Sequence, residues 1–213
     1  MKQFVKDKIT LLQCDCLDYM KDVPDKYFDL AIVDPPYQNN DAIGIKNGNK
    51  HSAKRTNYRQ FENIAPSQSY FDELSRISKK WIVWGGNYFG LKGGAIIWNK
   101  HGTAFGEAEL AICNTHHSVR IFDYTWNGML QENMKDKEMR IHPTQKPVAL
   151  YKWLLKNYAT PDMKIIDTHL GSASSAIAAH AFGCEFVGME IDEDYFDAGV
   201  KRFDNETRQL ICF

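Results

Sequence analysis

Short runs of apolar, often β-branched residues alternate along the chain with segments whose apolar positions recur at helical spacing. Eight runs predict strands: Ile9–Leu12, Phe28–Val33, Trp81–Trp84, Ala95–Trp98, Leu110–Cys113, Val119–Phe122, Lys164–Asp167 and Phe186–Glu190. Four segments predict helices: Ser67–Lys79, Lys146–Tyr158, Ser172–Phe182 and Asp194–Arg208. Because strands that alternate with helices are typical of parallel sheets, the pattern predicts an α/β fold.

One segment, residues 39–66, breaks this alternation. It has no apolar periodicity and no acidic residue between Asp41 and Glu62. Its Lys and Arg residues are Lys46, Lys50, Lys54, Arg55 and Arg59. Long loops without secondary structure are uncommon in compact domains and are often functional. We therefore predict one domain over residues 1–213, with a basic polar loop inserted at about 39–66.

The overall charge is close to balanced. The 213 residues include 26 Lys and Arg against 27 Asp and Glu, which gives a formal net charge of −1. This balance excludes a protein that binds nucleic acid through overall positive charge, so any such contact must be local. No apolar run approaches the roughly 18 residues of a membrane span. The N-terminus lacks the apolar region of a signal peptide, and five cysteines, an odd number, indicate free thiols. We expect an intracellular, cytoplasmic protein that contacts no membrane.

The tetrapeptide Asp34-Pro35-Pro36-Tyr37 directly follows the predicted strand Phe28–Val33. Ligands of α/β sheets bind outside the carboxyl ends of the strands, where this tetrapeptide falls. The two prolines fix φ and remove N–H donors, so the turn is stiff and its carbonyls can accept hydrogen bonds. A carboxylate, a rigid carbonyl and an aromatic ring can together hold a planar ring that bears an amine. Taken alone, the tetrapeptide also fits a rigid structural turn.

A second candidate site follows the predicted strand Lys164–Asp167, where the chain turns at Gly171 and Ser172 into a helix. Backbone N–H groups at the start of such a helix can hold a polar ligand. The next predicted strand ends in Glu190, a position from which an acid can bind ribose hydroxyls. The turn has neither a G-x-G-x-x-G pattern nor a Gly-Lys pair, so it is not a phosphate-binding loop.

A third run, residues 141–147, introduces the helix that precedes Asp167. It contains Thr144, which could cap that helix, and Lys146, which could meet a carboxylate. From these residues alone, capping is the better interpretation.

Together, these motifs resemble the β-class amino-methyltransferases of DNA. The segments that carry the resemblance are Gln13–Asp18, Asp34–Tyr37, Trp81–Tyr88, His142–Pro147, Asp167–Ser175 and Phe186–Tyr195. In that family the catalytic tetrapeptide precedes the turn that binds S-adenosylmethionine, a circular permutation of the order in other methyltransferases. The resemblance implies a single doubly wound, mostly parallel sheet of the S-adenosylmethionine-dependent methyltransferase (Rossmann-like) type, ending in an antiparallel hairpin. It also implies that Asp34 and Asp167 lie at the carboxyl ends of neighbouring strands.

The activity implied by the resemblance is methylation of adenine N6 in DNA, as in restriction–modification systems, without a metal. The Asp34 carboxylate and the Pro35 carbonyl would accept hydrogen bonds from the amine of a flipped-out base, and Tyr37 would stack on that base. Pro36 belongs to the same catalytic turn. Family members that act on cytosine typically carry Ser in place of Asp34, which favours adenine. Cytosine N4, adenine in RNA, and a catalytically weak nucleic-acid-binding module stay open as alternatives.

The resemblance also assigns the residues that hold S-adenosylmethionine. Asp15, with Cys16 beside it, is expected at the adenine ring, and Glu190, with Ile191, at the ribose. The methionine end is expected among the catalytic Asp34 and the turn residues Asp167, His169, Gly171 and Ser172, with Thr144 and Lys146 near the carboxylate of the cofactor. A homodimer is compatible with the family.

The turn after Asp167 departs from the usual family sequence, Asp-Pro-Phe-x-Gly-Ser-Gly-Thr-Thr. Thr168, His169, Ala173, Ser174 and Ser175 replace the corresponding family residues. The hydroxyls are retained and Ala173 fits the first turn of a helix, so we expect cofactor binding to persist. The replacement of Phe by His169 is the change most able to alter the cofactor contact.

We also expect no separate target-recognition domain of the kind found in larger relatives. We therefore predict that Lys46, Lys50, Lys54, Arg55 and Arg59 contact DNA phosphates from the loop after the catalytic turn. The loop is expected to be mobile without DNA, to order on binding, and to accompany short or relaxed sequence specificity.

Overall fold

A computed structural model describes residues 2–37, 65–103, 106–127 and 130–208. The strands are β1 (Lys2–Lys6), β2 (Ile9–Gln13), β3 (Phe28–Val33), β4 (Ser78–Trp84), β5 (Gly94–Thr103), β6 (Gly106–Cys113), β7 (Val119–Asp123), β8 (Trp126–Asn127), β9 (Leu130–Gln131), β10 (Lys164–Asp167) and β11 (Glu185–Glu190). The helices are α1 (Cys16–Lys21), α2 (Gln68–Ile77), α3 (Val148–Tyr158), α4 (Ser174–Phe182) and α5 (Glu193–Arg208).

Within these residues, nine strands form one sheet in the order β1-β2-β11-β10-β3-β4-β6-β5-β7. The five strands from β2 to β4 in this order are mutually parallel. β6 is antiparallel to both β4 and β5, whereas β7 is parallel to β5. The mostly parallel α/β sheet expected from the sequence is confirmed.

Helices cover both faces of the sheet. Neighbouring residues of a strand point to opposite faces, so they pack against different helices. Leu30 and Ile32 of β3 pack into the same core cluster as residues of α3, α4 and α5. Ala31 and Val33 of the same strand pack with residues of α2 and with Met20 of α1. The sheet is therefore doubly wound, as expected.

Strands β3 and β10 lie side by side, but the chain leaves them toward opposite faces. β3 leads to α2 on one face, and β10 leads to α4 on the other. Such a change of direction opens a crevice beyond the carboxyl ends of the two strands, where ligands of α/β sheets bind. Asp34 directly follows β3 and Asp167 ends the neighbouring strand β10, which confirms their predicted placement at the carboxyl ends of neighbouring strands.

Several predicted boundaries and arrangements differ from the structure. Strand β4 begins at Ser78, directly after α2, so Lys79 belongs to the strand and not to the predicted helix. The antiparallel hairpin β5–β6 is present but lies one strand inside the sheet edge, because β7 folds back beside β5. β1 and α1 were not predicted, since β1 has no buried side chain and α1 has one, Met20, which leaves little apolar pattern to detect.

Helix α4 begins at Ser174, two residues later than predicted. Ala173 is the N-cap residue, with φ 61° and ψ 20°, so it does not occupy the first helical turn. This left-handed conformation costs an Ala roughly 1–2 kcal/mol, a cost that the Gly usual in the family would avoid. Ala173, in place of the usual Gly, therefore introduces backbone strain before the helix.

Candidate active site

A cleft of about 1010 Å³ opens at the carboxyl ends of β3, β10 and β11. Nearly all the predicted catalytic and cofactor residues line it: Asp15, Cys16, Asp34, Pro35, Pro36, Tyr37, Thr144, Lys146, His169, Gly171, Ser172, Glu190 and Ile191. Pockets for cofactors and other small molecules typically measure about 300–1,000 Å³. The cleft is therefore large enough for a nucleotide-like cofactor together with part of a second substrate.

Asp34 is paired on one carboxylate oxygen and unpaired on the other. Its Oδ2 accepts a hydrogen bond of 2.6 Å from Nζ of Lys146, whose side chain is 3% exposed. Its Oδ1 is buried and has no hydrogen-bond partner among the described residues. Burial raises the pKa of Asp34, and the positive charge of Lys146 opposes that rise. An unpaired buried acceptor is costly to a folded protein, so it marks a position where a ligand donor would be accommodated.

The ring of Tyr37 packs against the segment that follows β4. It stacks on Tyr88, with ring centroids 4.9 Å apart and an interplanar angle of 11°. It also packs on Gly85, where a Cβ would stand 2.5 Å from the ring. Burial raises the pKa of the Tyr37 hydroxyl, which keeps the phenol neutral. Two contacts from the loop after β4 thus fix the orientation of this aromatic ring.

Asp167 lies beneath the cleft and does not line it. Its Oδ2 accepts from the Ser175 hydroxyl at 2.6 Å, and its Oδ1 accepts from the His169 backbone N–H at 3.0 Å. Burial raises the pKa of Asp167 to about 7, although both hydrogen bonds oppose the rise. The structure therefore gives Asp167 a role in holding the turn, and its direct contact with a cofactor stays a prediction.

Glu190 fastens the same turn from the end of β11. Its Oε2 accepts from the Gly171 N–H at 2.9 Å, and its Oε1 accepts from the Asp192 N–H at 3.0 Å. Each carboxylate oxygen has a second lone pair, so Glu190 can also accept hydrogen bonds from ribose hydroxyls. Across the cleft, the side chain of Asp15 accepts from the Leu17 N–H at 2.7 Å and caps α1.

His169 extends a hydrogen-bonded chain from helix α2 to the cleft. The hydroxyls of Tyr70 and Thr168 lie 2.6 Å apart, and Thr168 Oγ1 lies 2.9 Å from Nδ1 of His169. Burial lowers the pKa of His169 to about 4, so the imidazole is neutral at pH 7. The residue that replaces the usual Phe is thus an uncharged ring tied to its neighbours.

Thr144 does not cap helix α3, contrary to the interpretation from the sequence. The helix begins at Val148, whose N–H donates to Oε1 of Glu138 at 3.0 Å. Glu138 therefore provides a side-chain hydrogen-bond acceptor at the start of the helix. The Thr144 hydroxyl instead lies 3.1 Å from Nδ1 of His142. Lys146 meets a carboxylate, as expected, but the carboxylate is that of Asp34.

Several residues of the site were not singled out from the sequence. His142 lines the cleft, packs edge-on against Tyr195 at 4.4 Å, and has a pKa lowered to about 4, mainly by burial. Its place in the His142–Pro147 motif was a signal that could have identified it. Tyr70 carried no such signal, because its position in α2 reads as an ordinary buried residue of an amphipathic helix.

Two further charged residues, on the antiparallel strands β5 and β6, extend the ion pairing that begins at Asp34 and Lys146. Oε2 of Glu109 on β6 lies 3.0 Å from Nζ of Lys146, and Oε1 of Glu109 lies 2.5 Å from Nζ of Lys100 on β5. A charged residue on an antiparallel strand reads as solvent-facing in the sequence, so neither residue could be recognised before folding.

The described part of the chain contains no group of three His, Cys, Asp or Glu side chains that could hold a metal ion. In the same residues, no helix is both long and apolar enough to cross a bilayer. The predicted DNA-contacting residues Lys46, Lys50, Lys54, Arg55 and Arg59 lie outside the described residues.

The sequence profile of the DNA methylase family (N6_N4_Mtase) matches residues 71–201, well over half of the chain. The chain belongs to the DNA methylase family. This methylase is 24% identical to the type II methyltransferase M.HinfI of Haemophilus influenzae over an alignment 254 positions long, which covers 95% of this chain and 70% of M.HinfI. The recognised resemblance to DNA amino-methyltransferases is thereby confirmed at the level of the family.

Solved structures show the same fold. The M1.HpyAVI–SAM complex matches this methylase with a TM-score of 0.59 and 16% identity, over 91% of this chain and 99% of the other. The PvuII DNA methyltransferase (cytosine-N4-specific) matches with a TM-score of 0.63 and 10% identity, over 97% and 94% of the two chains. At such identities the likeness is one of fold, and it confirms the Rossmann-like architecture of this methylase.

Proposed function

We propose that this protein transfers a methyl group from S-adenosylmethionine to the N6 amine of a flipped-out adenine in DNA. The observation that carries the proposal is the buried, unpaired Oδ1 of Asp34, beside a carboxylate oxygen already held by Lys146. Membership of the DNA methylase family supports the reaction class. The choice of adenine rests on Asp34 itself, where family members that act on cytosine typically carry Ser.

The cleft fits the proposed cofactor. It has room for both a nucleoside and a methionine chain, and Glu190 retains lone pairs for ribose hydroxyls. Asp15 and Cys16 line the same cleft from the start of α1. When bound, S-adenosylmethionine supplies a sulfonium methyl group as the electrophile.

The residues of the catalytic turn would act on the base amine. The lone pair of that amine is delocalised into the ring, so the amine is a poor nucleophile. Hydrogen bonds from its two N–H groups to Asp34 Oδ1 and to the Pro35 carbonyl would favour a pyramidal nitrogen with an available lone pair. Because these acceptors are fixed before the reaction, they also stabilise the positive charge that develops on nitrogen.

Tyr37 would hold the base by stacking. The target atom cannot be reached inside a duplex, so the nucleotide must leave the helix and enter the cleft. The ring of Tyr37 is already oriented by Gly85 and Tyr88, which lowers the cost of ordering it when the base arrives. Contact between amine and methyl group then provides the proximity part of the rate enhancement.

The proposal is tested with labelled S-adenosylmethionine, unmethylated duplex DNA and, in parallel, RNA, followed by mass spectrometry of the nucleosides. N6-methyldeoxyadenosine is the expected product. Recovery of N4-methylcytosine or of methylated RNA as the main product would contradict the choice of acceptor. An absence of cofactor binding in calorimetry would instead support a nucleic-acid-binding module without catalysis.

The substitution Asp34→Ala serves as the test of the site in the same experiment. It should abolish methyl transfer and leave the affinity for S-adenosylmethionine within a few-fold, since Asp34 acts mainly on the amine. Asp29→Ala is the matched control, because Asp29 lies at the opposite end of the same strand, paired with Lys79. Substantial turnover by the Asp34 variant would remove this residue from the mechanism.

A further inference from the structure

A row of four alternating charges leads away from the catalytic turn into the sheet. It runs from Asp34 to Lys146 over 2.6 Å, from Lys146 to Glu109 over 3.0 Å, and from Glu109 to Lys100 over 2.5 Å. Asp34 and Lys146 line the cleft, whereas Glu109 and Lys100 do not. The last two residues therefore lie outside the cleft, and their ion pairs connect them to Asp34 through the Lys146 ammonium.

All four side chains are largely removed from water. The side chains of Lys146 and Lys100 are 3% and 10% exposed, and those of Asp34 and Glu109 are 13% and 24% exposed. The two ammonium groups also lie over the rings of Trp84 and Trp98, at 5.4 Å and 5.1 Å from the centroids. Burying ion pairs in this way seldom adds net stability, because desolvation offsets the attraction between the charges. Stability alone is thus a poor explanation for this row.

The Lys146 ammonium interacts differently with its two acidic neighbours, Asp34 and Glu109. Its ammonium donates an aligned hydrogen bond to Asp34, whereas the contact with Glu109 is an ion pair without hydrogen-bond alignment on Oε2. Without Glu109, the Lys146 ammonium would interact with Asp34 alone and weaken that carboxylate as a hydrogen-bond acceptor. The negative charge of Glu109 also attracts the ammonium and so reduces this effect. The positive charge of Lys100 in turn partly neutralises Glu109.

We propose that Glu109 and Lys100 are positioning residues that, through Lys146, set how strongly the Asp34 carboxylate accepts the substrate amine on Oδ1. The proposal rests on the function proposed above and adds two residues to it. Neither residue touches the substrate. Each acts through the position of Lys146 and, more weakly, through the field of its own charge at Asp34.

The charges around Asp34 predict the sign of each substitution. Lys146 and Lys100 lower the pKa of Asp34, Glu109 raises it, and burial raises it most. Asp167 on β10 is coupled to Asp34 by like-charge repulsion. The phenols facing this region are neutral, since burial raises the pKa of Tyr37, Tyr70 of α2 and Tyr151 of α3.

Glu109→Gln should therefore lower the pKa of Asp34, whereas Lys100→Met should raise it. The test is the pH dependence of single-turnover methyl transfer with bound cofactor. We expect Glu109→Gln to reduce the plateau rate by about tenfold (about 1.4 kcal/mol) and to move the acid limb to lower pH. Lys100→Met should move the acid limb to higher pH. The affinity for S-adenosylmethionine should stay within threefold in both variants.

Glu107→Gln is the matched control, because Glu107 lies two residues before Glu109 on β6 and is exposed. It should change neither the rate nor the limb. The double variant Lys100→Met/Glu109→Gln removes one charge of each sign and leaves no unpaired partner of the Lys100–Glu109 ion pair. It therefore provides a folded variant if a single variant fails to fold. Its acid limb should lie between those of the two single variants.

Two outcomes would overturn the inference. One is an equal loss of rate in the Glu109 and Lys100 variants with no movement of the limb, which would indicate a structural role only. The other is a pKa of Asp34, measured by carboxyl ¹³C NMR, that is the same in Glu109→Gln as in a wild type shown to be active. A wild type that methylates no acceptor would instead contradict the proposed function, so the two failures are distinguishable.

Discussion

The ring of Tyr37 covers Gly85 so closely that a Cβ at Gly85 would stand 2.5 Å from Cδ1 of Tyr37. Gly85 also has a φ of 66°, in the left-handed region. Two independent constraints thus require glycine at this position, one from the backbone and one from the aromatic ring of the catalytic turn. Gly90, five residues later, has the same backbone conformation, with a φ of 68°, but no atom within 4 Å of the corresponding Cβ position.

Substitution of the two glycines distinguishes the effect of backbone strain from the effect of contact with Tyr37. Gly85→Ala and Gly90→Ala should each cost about 1 kcal/mol of backbone strain, because Ala is strained at positive φ. Gly85→Ala should destabilise the fold further, since its Cβ must displace the ring of Tyr37. Only Gly85→Ala should also displace Tyr37 and lower kcat/KM, by about tenfold or more, since stacking on a base is worth roughly 1–3 kcal/mol. Melting curves and methylation kinetics measure the two effects. Similar kinetics for both variants would show that Tyr37 needs no support from Gly85.

Glu190 should contribute to cofactor affinity through the turn that it fastens. In Glu190→Gln, the amide would place an N–H₂ group against one of the two backbone N–H donors that the carboxylate now satisfies. We expect the dissociation constant of S-adenosylmethionine in calorimetry to rise by about tenfold, or about 1.4 kcal/mol. Glu185→Gln, at the other and exposed end of β11, is the control and should leave the affinity unchanged. Equal affinities for both variants would refute this role.

His169 should make the folded protein sensitive to mild acid. Its folded pKa of about 4 lies below the ordinary value of 6.5, so the unfolded chain binds a proton first as the pH falls. Its contribution is therefore complete above about pH 6.5 and is lost between about pH 6.5 and 4, an effect on the order of 1–3 kcal/mol.

His169→Phe, which restores the usual family residue, removes this titration. The difference in unfolding free energy between the variant and the wild type should grow in favour of the variant as the pH falls from 7 to 4. Asp167, with a pKa of about 7, and His142 titrate in both proteins, so their effects cancel in the difference. Urea unfolding at several pH values measures it, and a difference that stays constant with pH would contradict the assignment.

The basic loop should supply DNA affinity without sequence information. Replacing Lys50, Lys54 and Arg55 by Ala should weaken DNA binding and flatten its dependence on salt, since each phosphate contact adds roughly 0.9 to the slope. Affinity for S-adenosylmethionine should not change. The control variant replaces three exposed lysines of α3 and α5, Lys152, Lys156 and Lys201. If both triple variants bind DNA with the parent's affinity and salt slope, the loop has no role in DNA binding.

The sequence by itself determined the local features of this protein. Runs such as Phe28–Val33 and Lys164–Asp167 fixed which segments become buried strands, because apolar periodicity reports burial directly. The prolines of Asp34–Tyr37 and the Gly171 turn marked where those strands end in loops that line the cleft. The family motifs then identified the chemistry, and the family profile confirmed the class.

Only the tertiary structure decided which charges meet. Lys146 and Asp34 are 112 residues apart in the chain, and Glu109 reaches them from an antiparallel strand that no motif marks. The tertiary structure likewise shows that the Asp167 carboxylate accepts a hydrogen bond from Ser175 of its own turn, and that Ala173 has a left-handed backbone conformation. Periodicity records how deeply a residue is buried but not which residue it faces, because pairing depends on strand order and on register across the sheet.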